Sequence, residues 1–146
     1  MATSLSYPAT RYVPEPLLDL SMDAIRKEHS PAAMRIFFNI MDEWKVKDTD
    51  ARVLLRDMGN SLFYDLKRNA EGKVLDSERL HRISYLVGIY KALQILYGDD
   101  LGNRFVNLPN KNRMFNGSTP LEFMKKGGLL AMHRVRRLLD ARRGGV

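Results

Sequence analysis

The sequence contains no cysteine. That excludes a disulfide framework, a thiolate metal site and a cysteine nucleophile. No stretch approaches the roughly 18 uninterrupted apolar residues of a membrane span. The N-terminus lacks a basic patch followed by an apolar run, so a secretory signal is not expected and the cytoplasm is the default compartment. Histidine is sparse, and His29, His81 and His133 stand far apart. Without cysteine to help them they show no metal-ligand spacing, so neither a metal nor another cofactor is expected. The carboxylates single out no acid/base pair. Asp99-Asp100 follows a glycine and reads as a turn, and Gly127-Gly128 lacks the spacing of a phosphate-binding loop. An enzyme is therefore not expected.

Acidic residues are also scarce at one end. Residues 103–146 hold only Glu122 and Asp140 against ten Lys and Arg, whereas residues 1–102 hold 14 basic and 15 acidic side chains. The whole net charge of +7 thus lies in the last third of the 146 residues. A basic stretch attracts nucleic acid, acidic protein surfaces or phosphorylated ligands, although a charge run is often only a solvated helix face. Hydrophobic residues make up 45% of the chain, enough for a packed domain and too many for wholesale disorder.

The apolar pattern is helical throughout, with no alternation of strand type and no internal repeat. Residues 1–29, with Pro8, Pro14 and Pro16, read as an arm holding a short helix near Leu17 to Lys27. Ser30-Pro31 predicts a helix start, with Ile36, Phe37, Ile40, Met41 and Trp44 buried. Thr49 is expected to cap a second short helix, Met58-Gly59 to turn, and Asn60 or Ser61 to cap a third that buries Leu62, Phe63 and Leu66. From Asp76 or Ser77 a helix of about twenty residues carries the stripe Leu80, Ile83, Val87, Tyr90, Leu93 and Tyr97, with Gly98 placed to end it. A short helix follows near Leu101 to Val106. Asn107 to Ser118 reads as an ordered loop. Thr119-Pro120-Leu121-Glu122 is a capping box with proline in the first turn. Gly127-Gly128 ends or bends that helix, and a last one runs from about Leu129 to Arg142 with Met132, Val135, Leu138 and Leu139 inward. The fold class is all-α, with a long central helix that is core or a dimer seam, core being favoured.

The three helices between Ser30 and Asn69 have the lengths and turn of a helix-turn-helix, in which the last helix presents its N-terminal residues to base edges. That surface would carry Asn60, Ser61, Tyr64, Lys67 and Arg68, of types that bond to bases or phosphates. Three short helices with a glycine turn more often form a plain packing unit, and Asp65 on the same helix opposes phosphate binding. At the other end Arg134, Arg136 and Arg137 spread around the last helix, and Arg142-Arg143-Gly144-Gly145-Val146 forms a cationic end suited to an acidic or phosphate-binding cleft. A frayed terminus is the plainer alternative.

Three segments together resemble the Xre/MbcA/ParS antitoxins. Leu54-Leu55 followed by Met58, Ser61, Phe63-Tyr64 and Lys67 is similar to the helix-turn-helix of that family. The run from Leu75 to Leu93 is similar to its central helix. Pro109-Asn110, then Phe115-Asn116-Gly117-Ser118-Thr119-Pro120-Leu121-Glu122-Phe123-Met124, then Gly127, resembles its C-terminal toxin-binding domain. The resemblance covers about residues 45–143. After the arm over 1–29, it implies a helix-turn-helix domain over 30–92 and a C-terminal toxin-binding domain over 93–146. It further implies a type II antitoxin whose partner is a RES-domain toxin that consumes NAD, neutralised by binding and active-site occlusion. Operon repression through the helix-turn-helix and homodimerisation are implied with it. The resemblance assigns toxin contact to Arg134, Arg137, Arg142, Arg143 and Gly144.

The chain departs from the family at the DNA-facing unit. Relatives commonly have glycine after the Leu-Leu pair, where this chain has Arg56. They have an Arg-Trp pair before the recognition-helix lysine, where it has Asp65-Leu66. Weaker operator binding, or binding only as a dimer or together with the toxin, is therefore expected. Lys45 to Lys73 holds seven basic and five acidic residues, so the basicity of the chain belongs to the proposed inhibitory end. The alternative is a stand-alone helix-turn-helix regulator with no toxin. An RNA or membrane-surface binder has no aromatic stacking platform to support it.

Overall fold

A computed structural model describes residues 18–144. Most of the expected arm, and Gly145 and Val146 of the cationic end, lie outside the described residues. The chain is all-helical: α1 Asp23–Glu43, α2 Asp48–Leu54, α3 Asn60–Arg68, α4 Ser77–Arg104 with a 3₁₀ turn at Phe105–Asn107, and α5 Pro120–Arg142.

The core follows the apolar spacing. Met34, Phe37 and Met41 of α1, and Trp44 just past its end, fall three and four residues apart and are buried, whereas Ile36, expected inside, is exposed. Helix α4 lies between α1 and α5. Flanked on two sides, it buries a wider arc than one stripe. Leu80, Ile83 and Leu93 are inside as expected, and so are Leu86, Ile89 and Ala92. The expected Val87, Tyr90 and Tyr97 are half-buried at the edges. One apolar cluster runs from Met34 through Phe63 and Leu86 to Leu139. Each large apolar side chain buried in it contributes about 1.5–3 kcal/mol.

Several helix ends obey local chemistry. Asp76 caps α4 by accepting the Arg79 N–H at 2.9 Å. Thr119 caps α5, its hydroxyl accepting the Glu122 N–H at 3.0 Å, with Pro120 beside it in the first turn. Helix α4 breaks at Gly98, whose φ of 78° suits glycine. Helix α5 breaks at Gly128, with φ 62°.

Other ends do not. Ser30 starts no helix, and the short helix expected to end near Lys27 is not separate: α1 runs unbroken through Pro31 from Asp23. The Ser30 side chain is buried, donates to Arg26 O at 2.6 Å and accepts the Leu75 N–H at 2.9 Å. A polar tie to the segment before α4 thus replaces the cap. Thr49 does not cap α2, which begins at Asp48 after Lys47. Neither Asn60 nor Ser61 caps α3, since Gly59 occupies that position without a side-chain bond.

Candidate functional site

Two surfaces hold the candidate residues. The first is built by α2, the turn after it and α3. Arg52 closes the turn on itself: its carbonyl accepts the Met58 N–H at 3.1 Å and its Nε donates to Met58 O at 2.8 Å. Arg56 and Asp57 take left-handed backbone conformations, with φ 57° and 51°. That explains why glycine suits position 56. Two arginines of α4 then hold the end of α2. Arg79 donates to Leu55 O at 2.8 Å and Arg56 O at 3.3 Å, and Arg82 donates to Leu54 O at 3.2 Å. Charge-assisted bonds of this kind satisfy carbonyls that a helix end leaves without partners.

All five residues expected to face DNA are exposed on α3. Three of them are committed within the chain. Tyr64 Oη donates to Asp48 Oδ2 and Lys67 Nζ to Asp48 Oδ1, each at 2.8 Å. Arg68 pairs with Asp65. The bonds from Lys67, then Tyr64, hold the Asp48 carboxyl below the usual carboxylate range. Asp48 in turn raises Tyr64 and Lys67. Asn60 and Ser61 have no side-chain hydrogen bond among the described residues.

The second surface lies where the 108–119 loop meets the break in α5. Asparagine side chains order the loop: Asn110 Oδ1 accepts the Asn112 N–H at 2.8 Å and Asn112 Oδ1 the Met114 N–H at 2.9 Å. This places Phe115 in the core, 5.2 Å from the Phe123 ring in an edge-on arrangement. Beside it a groove of about 490 Å³ opens, with Met114, Phe123, Leu130 and Ala131 as its apolar wall and Lys126 and Arg134 as its charged side groups. Among the described residues no carboxylate lines it. Leu130 is 67% exposed, the most of any large apolar side chain among the described residues. Arg134 lies over the Phe123 ring at 5.9 Å, a cation–π contact that holds the guanidinium at the groove.

The residues expected to touch a toxin divide here. Leu130, Arg134 and Arg137 fall four and three residues apart on one exposed face of α5, so Arg134 and Arg137 are brought together. Among the described residues neither has a carboxylate partner. Arg142 is drawn instead to α4, donating to Tyr97 Oη at 3.0 Å, and Arg143 sits 3.7 Å from Asp140. Gly144 is exposed, with φ 76°. Sequence reasoning missed Lys126 and Leu130. Leu130 had a signal, since it stands one turn before Arg134 and out of register with the buried Met132, Val135 and Leu139.

A second cavity of about 680 Å³ near Trp44 is lined by charges of both signs, Glu43, Asp99 and Asp100 against Lys45 and Arg104. Among the described residues, no three His, Cys, Asp or Glu gather where an ion could be held, and no helix is long and apolar enough to cross a membrane.

Comparison with known proteins finds a family match for the segment that holds the second surface. Residues 92–145 match the antitoxin Xre/MbcA/ParS C-terminal toxin-binding domain. The matched segment contains the whole groove. The chain is also similar to the uncharacterized protein y4oB of Sinorhizobium fredii, 34% identical over 116 residues, which cover 79% of this chain and 87% of the relative.

Proposed function

The chain belongs to the Xre/MbcA/ParS antitoxin family, and from that premise we propose that it neutralises a RES-domain, NAD-consuming toxin by docking the groove and the exposed edge of α5 against it. The observation that carries this reading is the groove: a pocket with an apolar wall and an exposed Leu130, flanked by Lys126 and Arg134 and, among the described residues, lined by no carboxylate, within the matched segment. Apolar burial at the centre supplies affinity, and the cations orient the partner. Arg137, Arg142, Arg143 and Gly144 extend this edge toward the toxin's cleft, where the chain end excludes the dinucleotide by occupying its place. Inhibition of this kind is steric and electrostatic and needs no chemistry by the antitoxin. A homodimer that contacts its operator weakly through α3 completes the reading. The domain division proposed for the chain is a helix-turn-helix unit over 30–92 and a toxin-binding unit over 93–146.

The test is co-expression with the product of the adjacent gene, followed by co-purification and an NAD-hydrolysis assay. The native chain should co-purify and suppress hydrolysis. Leu130→Ser and Arg134→Glu should each weaken suppression at least about tenfold, the loss of one good anchor. Their melting temperatures should be unchanged, because both side chains are exposed. Suppression by both variants at native strength would remove the groove from the interface. Absence of a RES-domain neighbour, with tight operator binding, would favour the stand-alone regulator.

A further inference from the structure

The surface that α3 would turn to DNA already holds an anion. Tyr64 and Lys67 are three residues apart, on one face of α3, and their polar ends converge on a single carboxylate. Each oxygen of Asp48 takes one donor, a hydroxyl on Oδ2 and an ammonium on Oδ1. A DNA phosphodiester offers the same chemistry: two non-bridging oxygens that share one negative charge and accept from hydroxyl and ammonium groups. In a helix-turn-helix the first helix crosses the DNA backbone while the second lies in the major groove. A backbone phosphate therefore belongs between those two helices, and Asp48 of α2 stands between them and reaches α3.

We infer that Tyr64 and Lys67 form a seat for one DNA phosphate, and that Asp48 fills this seat in the free chain. The inference rests on the DNA-contact part of the proposed function. A phosphate entering the seat must displace a carboxylate held by two good bonds, and it meets a like charge while doing so. Arg68 does not offset this, since Asp65 neutralises it from the same helix. The side chains suited to base edges, Asn60 and Ser61, stay exposed throughout. The seat thus controls the sequence-independent part of affinity and leaves base reading intact.

The experiment uses the full chain and four variants: Asp48→Asn, Asp48→Ala, Lys67→Ala and Asp48→Ala/Lys67→Ala. Each is titrated by fluorescence anisotropy against a duplex from upstream of its own gene and a scrambled duplex of equal length, over a range of salt. Asp48→Asn keeps the side-chain shape, and Asp48 and Lys67 are 36% and 39% exposed, so melting temperature should scarcely move. Asp48→Asn and Asp48→Ala should bind both duplexes about tenfold more tightly than the native chain, with the salt dependence steeper by about one phosphate. Adding Lys67→Ala should remove that gain. The inference is overturned if neither Asp48 variant gains affinity, or if the gain survives loss of Lys67. If the native chain binds the upstream duplex and neutralising Asp48 adds nothing, only the phosphate seat falls. If no form binds either duplex, the DNA-contact reading falls with it.

Discussion

Lys125 Nζ lies 2.8 Å from Asp50 Oδ1, with only 21% and 16% of the two side chains exposed. This ion pair ties the second turn of α5 to the first turn of α2. It therefore joins the helix that carries the groove to the unit that carries the candidate DNA face. Glu122 also bonds Lys125 at 2.9 Å, but it is 45% exposed and contributes less. Asp50 and then Glu122 raise the lysine's affinity for its proton.

Removing Lys125 leaves Asp50 half-enclosed without its cation. Lys125→Ala should cost about 1–3 kcal/mol, between the value of an exposed pair and that of a buried pair broken on one side. A double-mutant cycle with Asp50→Ala, read by urea denaturation, should show a coupling of about 1 kcal/mol or more. Additive losses would mean that the two charges act independently.

Two neighbouring arginines should behave differently when replaced by alanine. Arg79 is 17% exposed on its side chain and donates to the Leu55 and Arg56 carbonyls as well as to Asp76. Arg79→Ala should destabilise the chain by about 2–3 kcal/mol, because the end of α2 loses the donors to the Leu55 and Arg56 carbonyls. Arg56 is 45% exposed, and its partners Asp76 and Glu78 keep other arginines. Arg56→Ala should cost less than about 1 kcal/mol. Thermal unfolding of the two variants side by side checks the order, and equal losses would contradict it.

Stability should fall in acid. The Asp48 carboxyl is lowered by Lys67 and then Tyr64, and that of Glu78 chiefly by Arg82. For Asp76, burial works upward, but the Arg79 N–H and the Arg56 and Arg79 charges together outweigh it and hold the group low. A carboxyl with a folded pKa below its unfolded one stabilises the fold at pH above the unfolded value, about 4. That stabilisation is lost as pH falls through the folded pKa. The urea midpoint should therefore be flat from pH 7 to about 5 and drop steadily below about 4. In Asp76→Asn the drop should be shallower, since one of the linked protons is gone.

Much of the fold was legible from residues close together in the chain. Thr119-Pro120 and Asp76 announce helix starts, and Gly98 and Gly128 announce breaks, because capping and left-handed backbone are properties of a few successive residues. Ser30-Pro31 carries the same kind of signal and misleads. The Ser30 hydroxyl meets the Leu75 N–H, 45 positions away, and no local pattern contains that bond. The site divides in the same way. The positive end and the α3 residue types are visible in order of sequence. The capture of Tyr64 and Lys67 by Asp48 is not, nor is the opening of a groove between Met114 and Leu130.

By itself the sequence determined the all-helical class, the location of the basic excess after residue 102 and the family to which the chain belongs. Helical spacing, charge counts and motif order are all written along the chain. Only the tertiary structure decided which charges are free to meet a partner. Helix packing sets Asp48 against Tyr64 and Lys67, and Asp50 against Lys125, while Arg134 and Arg137 are left on an open face of α5. A charge meets a partner most readily where the fold leaves it without a counter-ion, and some of those counter-ions come from helices that are distant in sequence.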